Sequence, residues 1–284
     1  MKVLVVSSYP PRHCGIGAYA RDQVAGLRAA GQDVTVLSPP DGDGDLRARF
    51  LGGAAILRAT TIGGRFDRLV VHFQPALYYR PRRPVSKTLT SLAFLALAWR
   101  RGRKLDVVVH EADPPSLWRP DYAILRLAFR LAGLVSFHTE AERAAFERDY
   151  RVDLKARVIP HRVLTTRAIP SRGEARDRLG IGRSEGPVFV CPGFLQPDKG
   201  FERAVEAFRS GHRNGASLYV VGSVRDHTPR NDRYARGLAD LCRSVSGVSL
   251  VDRFATDEEF DLWVAAADWL VLPYRRSWSS GVLA

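Results

Sequence analysis

A chain of 284 residues with 45% hydrophobic and 26% charged residues buries a sizeable core and is neither disordered, fibrous nor a small stapled scaffold. Its 43 Lys and Arg against 30 Asp and Glu leave a formal charge of +13, which draws it toward anionic partners such as nucleotides, nucleic acid or acidic lipid. Three widely spaced cysteines, Cys14, Cys191 and Cys242, with no C-x-x-C pair, exclude a disulfide framework and a structural zinc site and fit a reducing, cytoplasmic location.

Short apolar runs alternate with longer helical patterns, the rhythm of parallel-sheet α/β proteins whose strands are buried on both faces. The opening MKVLVVSSYPP has an apolar run too short for a signal peptide, and no stretch is long enough to span a bilayer. In the first half, strands are expected at Val3 to Ser7, Val34 to Ser38, AAILR around Ile56, Arg68 to Phe73, Leu105 to His110, Gly133 to His138 and RVIPH around Ile159. Helices are expected at Ala18 to Ala30, Val85 to Arg101, Asp121 to Ala132 and Glu140 to Tyr150, the last capped by Thr139. Thr165 to Gly186, rich in Arg, Gly, Ser and Pro, predicts a linker with one short helix at Glu174 to Leu179.

After it the rhythm restarts. Strands at Val188 to Cys191, Ser217 to Gly222, Val248 to Asp252 and Asp268 to Pro273 alternate with helices from Phe201, from about Asp232 and from Asp257. The expected division is a first doubly wound domain over 1–167, a linker over 168–186 and a second domain over 187–284. Complete doubly wound domains have about five or six strands, so the second sheet is expected to be incomplete.

The residues that carry chemistry fall at strand ends. Pro192 to Gly200, PGFLQPDKG, leads a strand through a glycine turn to Lys199, which is expected to open the helix FERAVEAFR. One ammonium and a row of free backbone N–H groups would then face one spot, a place for a diphosphate; a solvated lysine is the plainer alternative. The first loop reaches its helix through Gly15 and Gly17, where backbone can approach a ligand. Seven residues separate Gly15 from the strand and Ser38 rather than an acid ends the second strand, so a dinucleotide fingerprint is disfavoured, while a ligand loop and a plain glycine turn both stay open.

His110 ends a very apolar strand in the position where open α/β sheets bind ligands, and suits hydrogen bonding to a sugar hydroxyl or proton relay. His72 and His138 also end strands but read as structural, and His161 as a turn or hinge residue. The segment RRSWSSGVLA, with Ser277, Ser280 and Gly281, offers a second anion or hydroxyl site or an N-cap. Asp41, Asp43 and Asp45 lack the glycine and the acid that a calcium loop needs and read as a solvated turn. Arg80, Arg82, Arg83 and Lys87 precede or open an apolar helix that Arg100, Arg101, Arg103 and Lys104 follow. That composition suits an anionic membrane surface as well as a core helix with soluble ends. Nucleic acid is not an expected partner, because aromatic residues are not interleaved with the basic ones.

Taken in order, the Gly15 to Gly17 loop, His110, the PGFLQPDKG turn and the SSGVLA ending resemble the retaining GT-B glycosyltransferases, the group that includes glycogen-synthase-like and mannosyltransferase-like enzymes. The resemblance covers nearly the whole chain. It implies two Rossmann-like domains facing each other across a cleft, with a UDP- or GDP-sugar donor held mainly on the second, and no metal or other cofactor. A hexose would pass to a glycan or lipid-linked acceptor, in the cytoplasm or at the inner membrane face. Gly15 and Gly17 would approach the donor diphosphate or the acceptor, His110 would contact the transferring sugar, and Lys199 would neutralise the leaving diphosphate. Gly193, Ser277, Ser280 and Gly281 would complete the donor site.

Phe194 stands where the family usually has an arginine, and Ser277 where it has the first of two glutamates. Both favour an alternative: a non-catalytic GT-B-like module that binds an acidic glycan, a lipid surface or a partner protein. A nicotinamide-dependent oxidoreductase is a further alternative, which the long first loop opposes.

Overall fold

The computed structural model describes residues 1–284 except 113, 114, 117, 161–167, 182–185, 212–214, 226 and 276–284, and the chain divides into two units near residue 163. In the first, β1 (Lys2–Val6), α1 (Gly15–Ala29), β2 (Asp33–Ser38), β3 (Leu46–Arg47), α2 (Ala54–Ile62), β4 (Arg68–Phe73) and α3 (Pro75–Tyr78) are followed by a second run of elements. These are α4 (Pro84–Arg101), β5 (Leu105–Val109), α5 (Pro120–Leu131), β6 (Leu134–Phe137), α6 (Glu140–Tyr150) and β7 (Ala156–Val158). The strands form one parallel sheet in the order β3-β2-β1-β4-β5-β6-β7.

The central strands are apolar on both faces because helices cover both: Val3 to Val6, Leu69 to Val71 and Val107 to Val109 are all buried. The charged exception, Asp106 in β5, is answered from the neighbouring strand by Arg68, whose Nη2 reaches both carboxylate oxygens at 2.8 Å. Thr139 caps α6 as expected, in a capping box closed by Glu142. AAILR, read above as a strand, is instead the start of α2. Gly52 and Gly53, at φ 88° and 82°, turn the chain into the helix, and Ala55, Ile56 and Ala59 share its buried face.

The second unit holds α7 (Arg172–Leu179), β8 (Val188–Pro192), α8 (Phe201–Ser210), β9 (Ser217–Gly222), α9 (Pro229–Arg243), β10 (Val248–Asp252), α10 (Asp257–Ala266) and β11 (Trp269–Leu270). Its parallel sheet runs β10-β9-β8-β11. α7 lies within the stretch read as a linker, yet it packs into this unit, with Ala175 buried against Leu262 and Ala266 of α10. Asp268 knots three elements together. Its Oδ2 accepts from the Val188 N–H and from Arg176, each at 2.7 Å, and its Oδ1 accepts from Arg172 at 3.0 Å.

At the carboxyl ends of β8 and β9 the backbone passes so close that a Cβ added to Gly222 would lie 1.8 Å from the carbonyl oxygen of Gly193. Cys14, Cys191 and Cys242 are all buried and unbridged.

Candidate functional site

β4, β5 and β6 are neighbours in the first sheet, and each delivers a histidine at its carboxyl end. His72, His110 and His138 therefore stand in a row, with ring centroids 5.0 Å apart at each step. The rings are linked through nitrogen: His72 Nδ1 lies 3.0 Å from His110 Nε2, and His110 Nδ1 lies 3.3 Å from His138 Nε2. Beyond the row, His138 Nδ1 meets the Ile159 carbonyl at 3.0 Å and His72 Nε2 meets the Gln23 side chain at 2.9 Å. Tyr19 and Gln23, one helical turn apart on α1, cover the row. The Tyr19 ring stands edge-on to all three imidazoles, 5.1 to 5.6 Å away.

Burial, helped by nearby His138, holds the fully enclosed His72 down to about 3. Burial also lowers His138, against the opposing pull of the Ile159 carbonyl and Glu142. His110 is half-buried, and its backbone N–H donates to Phe73 at 2.9 Å. Reading His72 and His138 as separate structural residues thus misses their partnership with His110. The signal was present in three strands that each end in histidine, but it needs the strand order to become visible. The three rings bond to one another rather than converging on a point, and among the described residues no cluster of His, Cys, Asp or Glu is arranged to hold a metal ion.

α1 begins at Gly15 rather than Ala18, with Cys14 at its N-cap and no side-chain cap. Gly17 lies against the loop after β1, where an added Cβ would sit 3.4 Å from the Tyr9 nitrogen and 3.5 Å from the Ser8 hydroxyl. The hydroxyls of Ser7 and Ser8, both in that loop, are buried with no hydrogen-bond partner among the described residues. Each acid of the DGDGD turn has its own arginine: Asp41 pairs with Arg12 at 3.1 Å, Asp43 with Arg47 at 3.1 Å and Asp45 with Arg28 at 3.7 Å.

In the second unit Lys199 does not open α8. It closes a 3-10 turn, Pro197–Lys199, and its ammonium rests 3.9 Å from the centre of the Tyr274 ring. The expected row of free N–H groups is also partly used up internally. The Phe201 N–H donates to the Tyr234 hydroxyl at 3.1 Å and the Arg203 N–H returns to Gly200 at 2.9 Å. Tyr234 in turn donates to Glu202 at 2.6 Å, and Arg275 pairs with Glu202 at 2.7 Å. The helix end is thereby satisfied by side chains from elsewhere in the unit. Gly193 adopts φ 141°. Phe194 packs against Phe254 at 6.4 Å, and the Arg225 guanidinium stands 5.8 Å from the Phe194 ring, so a cation reaches this turn from another loop. Ser277, Ser280, Gly281 and His161 lie outside the described residues.

Two parallel-sheet units, with glycine turns and a histidine row at the carboxyl ends of their strands, have the GT-B fold of nucleotide-sugar glycosyltransferases. Residues 14–167, more than half of the chain, match Glycosyltransferase Family 4, and the chain belongs to that family. Among solved structures it is similar to HepE of Anabaena in complex with UDP and glucose, at 16% identity and a TM-score of 0.66, covering 95% of this chain and 73% of that one. Sucrose-phosphate synthase of Thermosynechococcus elongatus is similar at 15% identity and a TM-score of 0.69, covering 96% and 75%. The starch synthase IV catalytic domain of Arabidopsis thaliana, bound to ADP and acarbose, is similar at 12% and 0.64, covering 96% and 78%. At these identities the likeness is one of fold. No curated protein matches the chain.

Proposed function

We propose that this chain transfers a hexose from a UDP- or GDP-linked donor to a glycan or lipid-linked acceptor, with retention of anomeric configuration and without a metal ion. The observation that carries this reading is HepE of Anabaena, which has the same fold and is solved with UDP-glucose. In the proposed step the bond between the anomeric carbon and the diphosphate oxygen breaks, and its electron pair leaves with the phosphate. The acceptor hydroxyl oxygen bonds to that carbon from the same face, and the hydroxyl proton passes to the departing oxygen.

Charge grows on the departing oxygen through an oxocarbenium-like state, and fixed cations help most there. Lys199 leaves the Tyr274 ring to meet it, and Arg225 supplies a second cation beside Phe194. Gly193 lets backbone approach the diphosphate, and Ser277, Ser280 and Gly281 belong to the same donor set. His110 contacts the transferring sugar. The Gly15 to Gly17 loop, with the Ser7 and Ser8 hydroxyls, takes phosphate or acceptor oxygens.

A panel of UDP- and GDP-sugars tests this by thermal stabilisation and by hydrolysis. One nucleotide sugar is expected to stabilise the full chain, and Lys199→Ala to weaken its binding roughly tenfold, the value of about one charge-assisted contact. An unchanged response in Lys199→Ala excludes the diphosphate role. If no nucleotide sugar stabilises the chain or is hydrolysed, the non-catalytic binding module is the better reading, which the Phe194–Phe254 packing favours.

The same proposal places the protein in the cytoplasm, in peripheral contact with the anionic inner face of a membrane. Val85, Leu89, Leu92 and Trp99 line the outward side of α4, from 44% to 78% exposed, at helical spacing. The exposed cations Arg82, Arg83, Arg100, Arg103 and Lys104 flank them, none in a salt bridge with a described residue, and no acid lies between Arg80 and Lys104. Among the described residues no helix is long and apolar enough to cross a membrane. The chain is expected to co-sediment with phosphatidylglycerol vesicles at low salt and not with phosphatidylcholine vesicles, and Trp99→Glu to abolish this. Equal recovery with both vesicle types rejects the contact.

A further inference from the structure

Three imidazoles in a row admit few proton arrangements, and the ends of the row decide among them. The Ile159 carbonyl can only accept, so His138 Nδ1, 3.0 Å away, carries the proton, and in a neutral ring Nε2 then accepts. His110 Nδ1 must donate to that Nε2 across 3.3 Å, which leaves His110 Nε2 to accept. His72 Nδ1 donates to it across 3.0 Å, and His72 Nε2 accepts in turn from Gln23.

The Gln23 amide is placed with Oε1 toward that nitrogen at 2.9 Å, but the oxygen and nitrogen of an amide have the same shape, and the hydrogen bonds decide between them. With the oxygen inward, every link needs a ring proton and the row carries one positive charge. With the nitrogen inward, the row is neutral. His72 is 0% exposed, so a charge on its ring is fully enclosed. At His138 burial outweighs the pull of Glu142, whose Oε2 already accepts from the His138 and Thr139 N–H groups. The neutral row and the turned amide are therefore favoured.

We propose that His72 and His138 are positioning residues that hold the proton of His110 on Nδ1 and keep its ring neutral and fixed in orientation. This rests on the reading of His110 as the residue that meets the transferring sugar. There a neutral ring is an advantage, because an imidazolium beside an oxocarbenium-like carbon would oppose the charge developing on it. His138 provides the direction of the whole row, because the carbonyl it faces cannot donate. Gln23 provides none, since an amide serves either way.

Long-range proton–nitrogen NMR of the imidazoles in the full chain tests this. At neutral pH all three rings are expected to be neutral with the proton on Nδ1, the less favoured tautomer of a free imidazole side chain. In His138→Leu the anchor is gone, and both remaining rings are expected to move their proton to Nε2, including His72, which does not touch residue 138 through either ring nitrogen. In Gln23→Leu the anchor remains and all three stay on Nδ1. An Nε2 proton on His110 in the wild type, an unmoved His72 in His138→Leu, or a reversal in Gln23→Leu overturns the proposal. Should His138→Leu fail to fold, the wild-type and Gln23→Leu spectra decide. None of these spectra needs a substrate. The expected tautomers in a chain that no nucleotide sugar stabilises would uphold the positioning and reject sugar transfer, and reversed tautomers in a chain that binds a nucleotide sugar would do the opposite.

Discussion

Gly222→Ala is expected to destabilise the second unit by about 4 kcal/mol, beyond the usual range for an overpacked side chain. The added methyl would fall 1.8 Å from the Gly193 carbonyl oxygen and 2.8 Å from its carbon. Both are backbone atoms, so no rotamer change relieves the clash. The ends of β8 and β9 would have to separate, and Gly193 donates its N–H to Val221 at that same point. Gly237→Ala is the control: this glycine lies within α9 with nothing inside 4 Å of the added methyl, and helix propensity predicts a gain of up to about 1 kcal/mol. Urea unfolding followed by circular dichroism separates the two. A Gly222→Ala midpoint close to that of the wild type would show that the two loops do not approach as described.

Asp268→Ala is expected to cost the same unit about 3 kcal/mol, the range for removing a carboxylate that several donors share. The substitution strands the Val188 N–H, on a residue only 1% exposed, and leaves Arg176 and Arg172 without their common partner. The effect depends on pH with a definite sign. The Val188 N–H, then Arg176 and Arg172, hold the Asp268 carboxyl below the ordinary carboxylate range. A group depressed in the folded state contributes stability that is complete above its unfolded pKa of about 3.9 and is lost as pH falls through the folded value. The gap in unfolding free energy between wild type and Asp268→Asn, which keeps an acceptor for Val188 but loses the charge, should therefore narrow from pH 7 toward pH 3. A gap that stays constant or widens would mean that the carboxylate is not what ties α7 to the sheet.

Most of the strand framework can be read directly from residues. Strands buried on both faces are runs of Val, Ile and Leu, and VLVV, RLVVHF and LDVVV can be little else in a chain with this rhythm. AAILR failed as a strand because a run of four apolar residues fits either period. The helix becomes apparent only when the spacing of Ala55, Ile56 and Ala59 is followed into RATTI and the paired glycines before it are taken as a turn.

The candidate site was less legible, for a different reason. His110 could be singled out by its place at a strand end, but its partners come from strands that are neighbours in space rather than in sequence, and no local pattern reports strand order. The end of α8 was misjudged in the same way. Tyr234, which takes the Phe201 N–H, lies 33 residues further along the chain, and Pro197 to Gly200 form a separate tight turn that holds Lys199 off the helix. The arginine expected after Gly193 is absent, while Arg225 brings a guanidinium to the neighbouring ring. Composition and spacing can suggest that a cation belongs near the turn, but they cannot say which loop delivers it.

The three hidden thiols give the molecule a built-in stopwatch. Burial pushes Cys191 up to about 12, and Cys14, Cys191 and Cys242 are all enclosed, so a dye that captures thiolate has almost nothing to react with while the chain stays closed. Cys14 lies in one unit and the other two in the other, so labelling resolved by peptide mass would time how often each half opens on its own, with no foreign reporter introduced.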